Sequence, residues 1–251
     1  MQDFFKPYEL YQQFTNPVGL FTTTHLMTLA IFGVIAIIIT LIGLRLTPKQ
    51  RHQLAIIIAW VITALEVIRV IWRIWQGALF VDYHLPLHLC GLISLVMPLI
   101  VMSKKPIWYE FTYSAGMLGA LMALLTPDCT MYPWFHFQYL QSMTIHFLIF
   151  YIPWYLIIVE GFRPQLKNLK YVVGILLVLM IPIGFIDWLL DANYFFLCHG
   201  TQGTLVETLE KLMGWPLYLS GLLGIAIALW VLAYLPWEVY YKLKGSNKSV
   251  K

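Results

Sequence analysis

The chain has 251 residues, of which 60% are hydrophobic and only 11% charged, with a mean hydropathy of +0.76. Soluble domains carry about 25% charged residues, so a water-soluble fold is excluded and the chain falls in the integral membrane class. The formal net charge of +4 does not point to nucleic acid, because the basic residues are scattered in short clusters between apolar runs. The three cysteines, Cys90, Cys129 and Cys198, fit neither a metal-ligand spacing nor a dense disulfide framework. No cofactor and no metal is expected.

Residues 1–23 set Phe4, Phe5, Tyr8, Tyr11 and Phe14 among polar residues, which reads as an arm lying at the outer interface. The first apolar run starts near Thr24 and is too long for a signal-peptide core. A helix needs about 20 apolar residues to cross a bilayer. That length predicts seven spans: His25–Leu44, Leu54–Trp75, Pro86–Met102, Ile107–Leu125, Tyr139–Val159, Lys170–Leu190 and Pro216–Leu235. The third is short and the fourth carries Glu110 and several glycines, so six spans with one re-entrant segment is the alternative. Arg45, Lys49 and Arg51, then Lys104 and Lys105, then Arg163, Lys167 and Lys170, and finally Lys242, Lys244, Lys248 and Lys251 all fall on one side. The positive-inside rule then gives an amino terminus outside and a carboxy terminus inside. The expected protein is all-α: an outer interfacial segment (1–23), a seven-span helix bundle (24–241) and a basic cytoplasmic tail (242–251). It has no internal repeat, and is expected in a cell membrane, that of a bacterium, with membrane lipids as its partners.

The second span contains Glu66, Arg69 and Arg73, which share one stripe about 60° wide. A charge at a helix centre costs roughly 2.5–3.5 kcal/mol to insert, so the stripe must face the bundle interior or snorkel. One reading is a structural ion pair that staples helices. The other is a cationic cradle, in which Arg69 and Arg73 bind a lipid phosphate and Glu66, paired with either, holds them. Pro86 is read as a first-turn residue of span three. His84 and His88 then lie on one side, Gly91 permits a close approach, and Cys90 points about 160° from His88. The loop after span four carries Asp128 and His136, and Gln138, Ser142 and His146 recur every four residues as a polar stripe. Span six ends in Asp187, Asp191, Asn193, Cys198 and His199. Six of the 7 histidines thus fall on the outer half, all but His52, which predicts an outward-facing polar site. No HExxH or similar spacing supports zinc. Cys129 and Cys198 are both outside, either as free thiols or as a disulfide.

The succession LEVIR, HLPLHLCG, YLQSMTIHFLIFYIPWYL, DANYFFL and GWPLY resembles the YwaF-type integral membrane proteins of bacteria. More distantly it is similar to the eukaryotic transmembrane protein 164 family of cysteine-dependent phospholipid acyltransferases. By position, Glu66, Pro86, His88, His146 and Asn193 match the eukaryotic pattern. The family's nucleophilic cysteine precedes the histidine matched by His88, and here that position is Leu87, which cannot carry an acyl group. Either Cys90, one turn on, takes over, or the mechanism is not covalent through cysteine, or this branch has lost or changed the chemistry.

What the resemblance implies is an outward-facing acyltransferase or transacylase acting on phospholipid or lipid-linked substrate. His88 or His146 would be general base, Cys90 a possible acyl carrier and Asn193 an oxyanion donor. Arg69 and Arg73 would hold the headgroup, with Glu66, His84, Gln138 and Ser142 around it. The same polar pocket also suits a non-enzymatic transporter or receptor for a small solute, and a structural partner subunit is a third reading.

Overall fold

The computed structural model describes residues 3–11, 14–200 and 205–246. Among these, every apolar run expected to span the membrane is helical. A short helix α1 (Tyr8–Tyr11) precedes α2 (Thr23–Arg45), α3 (Pro48–Trp75) and α4 (Leu89–Ser103). Then α5 (Pro106–Phe111) runs through a π turn (Thr112–Gly116) into α6 (Met117–Leu125), followed by α7 (Phe137–Ile158) and α8 (Leu169–Leu190). The last two are α9 (Leu205–Met213) and α10 (Tyr218–Ser246). Lys248 and Lys251 of the expected basic tail lie outside the described residues.

Five helices are long and apolar enough to cross a membrane: α2, α3, α7, α8 with the 3₁₀ turn leading into it, and α10. The chain is therefore a multi-pass, all-helical membrane protein. Seven such spans were expected. The third falls short because α4 has 15 residues, about 22 Å of helix against a hydrocarbon core of about 30 Å. The fourth is interrupted by the π turn, around which Glu110, Thr112 and Ser114 are all buried.

Local chemistry accounts for where the helices start. Thr22 caps α2 by accepting from His25 N–H. Thr47 and Gln50 form a reciprocal capping box with Pro48 in the first turn of α3. His136 caps α7, its ring accepting from Gln138 N–H.

The described residues pack as two units. The first comprises Met1–Phe80 and His84–Phe162. Within it α3 packs on α4 and α7, and α6 packs on α7. Helix α7 is its central post: 72% of its most apolar stretch is buried, against 11% for α2, whose outer faces are apolar and exposed as lipid contact requires. The second unit comprises Val81–Tyr83 and Arg163–Lys251. There the Tyr194 hydroxyl donates to Val81 O, the Tyr218 hydroxyl bonds Phe196 O, and Tyr241 bonds Arg163 O and Pro164 O.

Candidate functional site

The first unit gathers its unusual polar side chains at one end, where α3 finishes, α4 and α7 begin and α6 gives way to the loop 126–136. Glu66, buried at 4% exposure, takes both Arg69 Nη2 (2.6 Å) and Arg69 Nε (3.2 Å) as a two-point pair. Arg69 Nη2 also donates to His84 O at 3.1 Å. Among the described residues its other terminal nitrogen, Nη1, makes no hydrogen bond.

Arg73 does not pair with Glu66. Seven residues separate them, about 10 Å along the helix, and the Arg73 guanidinium turns to Glu9 instead, with Nη1 2.7 Å from Oε2. Its Nη2 reaches Gln138 Oε1 at 3.4 Å and its Nε is buried without a partner. The expected cradle is thus divided: Glu66 holds Arg69, and the amino-terminal arm occupies Arg73. His84 completes the second half, accepting Phe80 N–H on Nδ1 and facing Glu9 Oε1 at 3.3 Å through Nε2. Burial alone would raise the Glu9 carboxyl, but its bonds to His84 and Arg73 overcome that and bring it from 4.5 down to about 2.

The arm is secured along its length. Trp72 Nε1 donates to Phe5 O, Phe137 N–H to Phe4 O, Tyr8 N–H to the Tyr132 hydroxyl, and Val18 N–H to Tyr132 O. Sequence reasoning placed this arm at the interface but missed Glu9. The one signal for it was an arginine at Arg73 with no carboxylate within reach on its own helix.

The entry to α4 also differs from expectation. Pro86 is not a first-turn residue; the helix starts at Leu89 with His88 as its cap residue in extended backbone (φ −62°, ψ 153°). Gly91 makes this possible. A Cβ there would lie 2.9 Å from the Pro86 backbone, so the close approach that Gly91 permits is that of the preceding turn. Cys90 faces α6, its Sγ 3.9 Å from where a Cβ on Gly119 would stand. All three cysteines are free thiols. Cys129 bonds the Ser142 side chain, and burial pushes the Cys129 thiol up.

The histidines at this end of the first unit separate into two kinds. His25, fully buried, accepts Phe21 N–H and faces Leu124 O at 2.9 Å. His136 caps α7 and faces Lys6 O at 3.0 Å, and burial brings it from 6.5 down to about 4. With His84, these three tie loops and helix ends together. His88 and His146 are different: Asp128, Arg69 and Glu66 all act electrostatically on both. Glu66 and Asp128 reach Cys90 as well. His146 Nδ1 lies 2.8 Å from Ser142 O. A carbonyl only accepts, so Nδ1 carries the proton and Nε2 is the basic position of the neutral ring.

Asn193 lies in the second unit. Its Oδ1 accepts Cys198 and His199 N–H and its Nδ2 donates to His199 O, so the carboxamide organises its own turn.

A family model, the TMEM164 family, matches residues 20–234. The chain belongs to the TMEM164 family. The match covers α2 to α7 and reaches into α10, so the family's shared region includes Glu66, His88, His146 and Asn193. No curated protein and no solved structure matches the chain.

Proposed function

We propose that this TMEM164-family protein is a membrane acyltransferase or transacylase acting on phospholipid or a lipid-linked substrate. The observation that carries the reading is that Asp128, Glu66 and Arg69 all act electrostatically on both His88 and His146, with the His146 tautomer set by Ser142 O. His146 Nε2 removes the proton from the attacking hydroxyl or thiol as it adds to the acyl carbonyl. The same nitrogen returns that proton to the leaving alkoxide as the original ester bond breaks. His88 serves as the second base, and Cys90 is the thiol within the same field if the acyl group is carried covalently. Leu87 stands where the eukaryotic relatives have their cysteine, which favours direct transfer. Arg69, held by Glu66, offers its Nη1 donors to a headgroup phosphate. Arg73 joins it when Glu9 yields, with His84, Gln138 and Ser142 completing the wall. Asn193 as oxyanion donor rests on positional similarity alone.

An apolar groove of about 540 Å³ between α2, α6 and α7, lined by Leu29, Phe32, Ala36, Phe147 and Trp154 among others, supports a lipid substrate. From Leu29 to Leu41 it follows α2 for about 18 Å. The family's wider likeness to bacterial YwaF-type proteins, seven spans and an outside amino terminus belong to this proposal. With that orientation the site opens to the outer leaflet of the cell membrane.

The test is mass spectrometry of lipids from cells lacking the protein, carrying the wild type, or carrying His146→Ala. The expected result is a lipid species made only with the wild type, with transfer falling by about 10²–10⁴-fold in the variant. An identical lipid profile in all three would sink the enzymatic reading and favour a solute carrier or receptor.

A further inference from the structure

The other end of the first unit holds a smaller cavity, of about 360 Å³. It is lined by Arg51, His52, Lys104, Tyr109 and Glu160, with Pro48 from the first turn of α3. Arg51 precedes Arg73 by 22 residues on one helix, which separates the two ends by about 33 Å.

The Arg51 guanidinium is fixed by three backbone carbonyls: Nε donates to Leu46 O (2.9 Å), Nη2 to Leu44 O (2.9 Å) and Nη1 to Val159 O (3.2 Å). Carbonyls orient the group without cancelling its charge, and of its five N–H donors two remain. Lys104 closes α4 in left-handed backbone at φ 53°. That position favours glycine, and a residue with a Cβ takes it only at a cost, yet a cation stands there facing the cavity. The positive end of a 28-residue helix adds to the same field. The single carboxylate, Glu160, is turned to His52, whose Nδ1 lies 3.3 Å from both of its oxygens. The Tyr109 hydroxyl is committed to Val101 O. One oriented cation, a lysine on the lining, a helix N-terminus and an engaged carboxylate leave a concave site that is complementary to a compact multivalent anion.

We propose that this cavity is a phosphate-binding site, with Arg51 as the pre-oriented donor pair and Lys104 as the mobile charge that closes over the ligand. The phosphate comes either from a phospholipid headgroup in the adjoining leaflet or from a free phosphorylated solute. The site is independent of the chemistry proposed at the other end of the bundle.

The experiment measures the thermal unfolding midpoint of detergent-purified, full-length protein against two probes at constant ionic strength. One is dihexanoyl phosphatidate, with dihexanoyl glycerol as its phosphate-free control; the other is inorganic phosphate. Variants are Lys104→Gly, which keeps the left-handed turn without strain, and Glu160→Gln, which removes the opposing charge. Phosphatidate is expected to raise the wild-type midpoint saturably. Its half-saturating concentration should rise at least about tenfold in Lys104→Gly and fall in Glu160→Gln. A response to phosphatidate alone assigns a lipid headgroup, and a response to both probes assigns a site open to soluble phosphate. No saturable response to either probe, or the same half-saturation in both variants as in the wild type, overturns the proposal.

Discussion

Replacing Glu9 by Gln isolates the contact by which the amino-terminal arm closes the polar end of the first unit. Arg73 is 3% exposed and, among the described residues, Glu9 is its one carboxylate partner, at 2.7 Å. Removing one member of a fully buried pair costs about 3–5 kcal/mol, but the Glu9 side chain is 30% exposed, so water offsets part of the loss. A second route gives a similar size. A carboxyl brought from 4.5 down to about 2 corresponds to about 3 kcal/mol, which solvent screening at that exposure reduces to about 2 kcal/mol. For a chain of this length that lowers the unfolding midpoint by about 4–8 °C.

The pH dependence has a definite sign. The folded carboxyl is more acidic than the unfolded one, so its contribution is fully present above pH 4.5 and is lost as pH falls towards about 2. Wild type and Glu9→Gln should therefore differ by the full amount at pH 7 and converge below pH 4.5, as read by thermal unfolding in detergent. Arg73→Met in both backgrounds closes a double-mutant cycle, with an expected coupling of about 2 kcal/mol. A coupling below about 0.5 kcal/mol, or a difference that persists unchanged to pH 3, would refute the argument that this ion pair latches the arm.

Two further outcomes follow from the packing. Gly91→Ala drives a methyl to 2.9 Å from the Pro86 backbone, so it should destabilise the protein by about 1–3 kcal/mol and lower activity by shifting His88; an unfolding midpoint equal to the wild type's would contradict it. His136 is brought down to about 4 by burial, so the folded state resists its protonation and stability declines as pH falls from 6.5 to about 4. In His136→Asn, which can still cap α7, that part of the decline should disappear from the stability-versus-pH curve, and an unchanged slope would show that other groups cause it.

The parts of this molecule readable in the sequence are those governed by local rules. Hydropathy located the five long apolar helices because lipid imposes a length and composition on each of them separately. The Glu66–Arg69 pair was legible because three residues is one helical turn. What local rules could not supply was how α4 begins. Proline commonly occupies a first turn, but here Gly91 admits the Pro86 backbone against the helix, and the helix starts only at Leu89. The π turn at Thr112–Gly116 left no pattern in TYSAG that spacing would detect.

The histidines show most clearly why a polar cluster in a sequence overstates the size of a site. Their crowding into one half of the chain's topology was read as a single pocket, yet His25, His84 and His136 each accept a backbone N–H on Nδ1 and face an oxygen through Nε2. Where loops and helix ends are buried at the end of a bundle, unpaired backbone groups need partners, and a histidine meets two at once. Such residues gather at that end for the same topological reason that a site does, so their placement alone cannot separate the two roles. What separates them is the second nitrogen. In His146 the backbone takes only Nδ1, and the ring's basic nitrogen is left to a neighbourhood set by Asp128, Glu66 and Arg69. That difference is why the catalytic proposal rests on His146 before any other histidine of the chain.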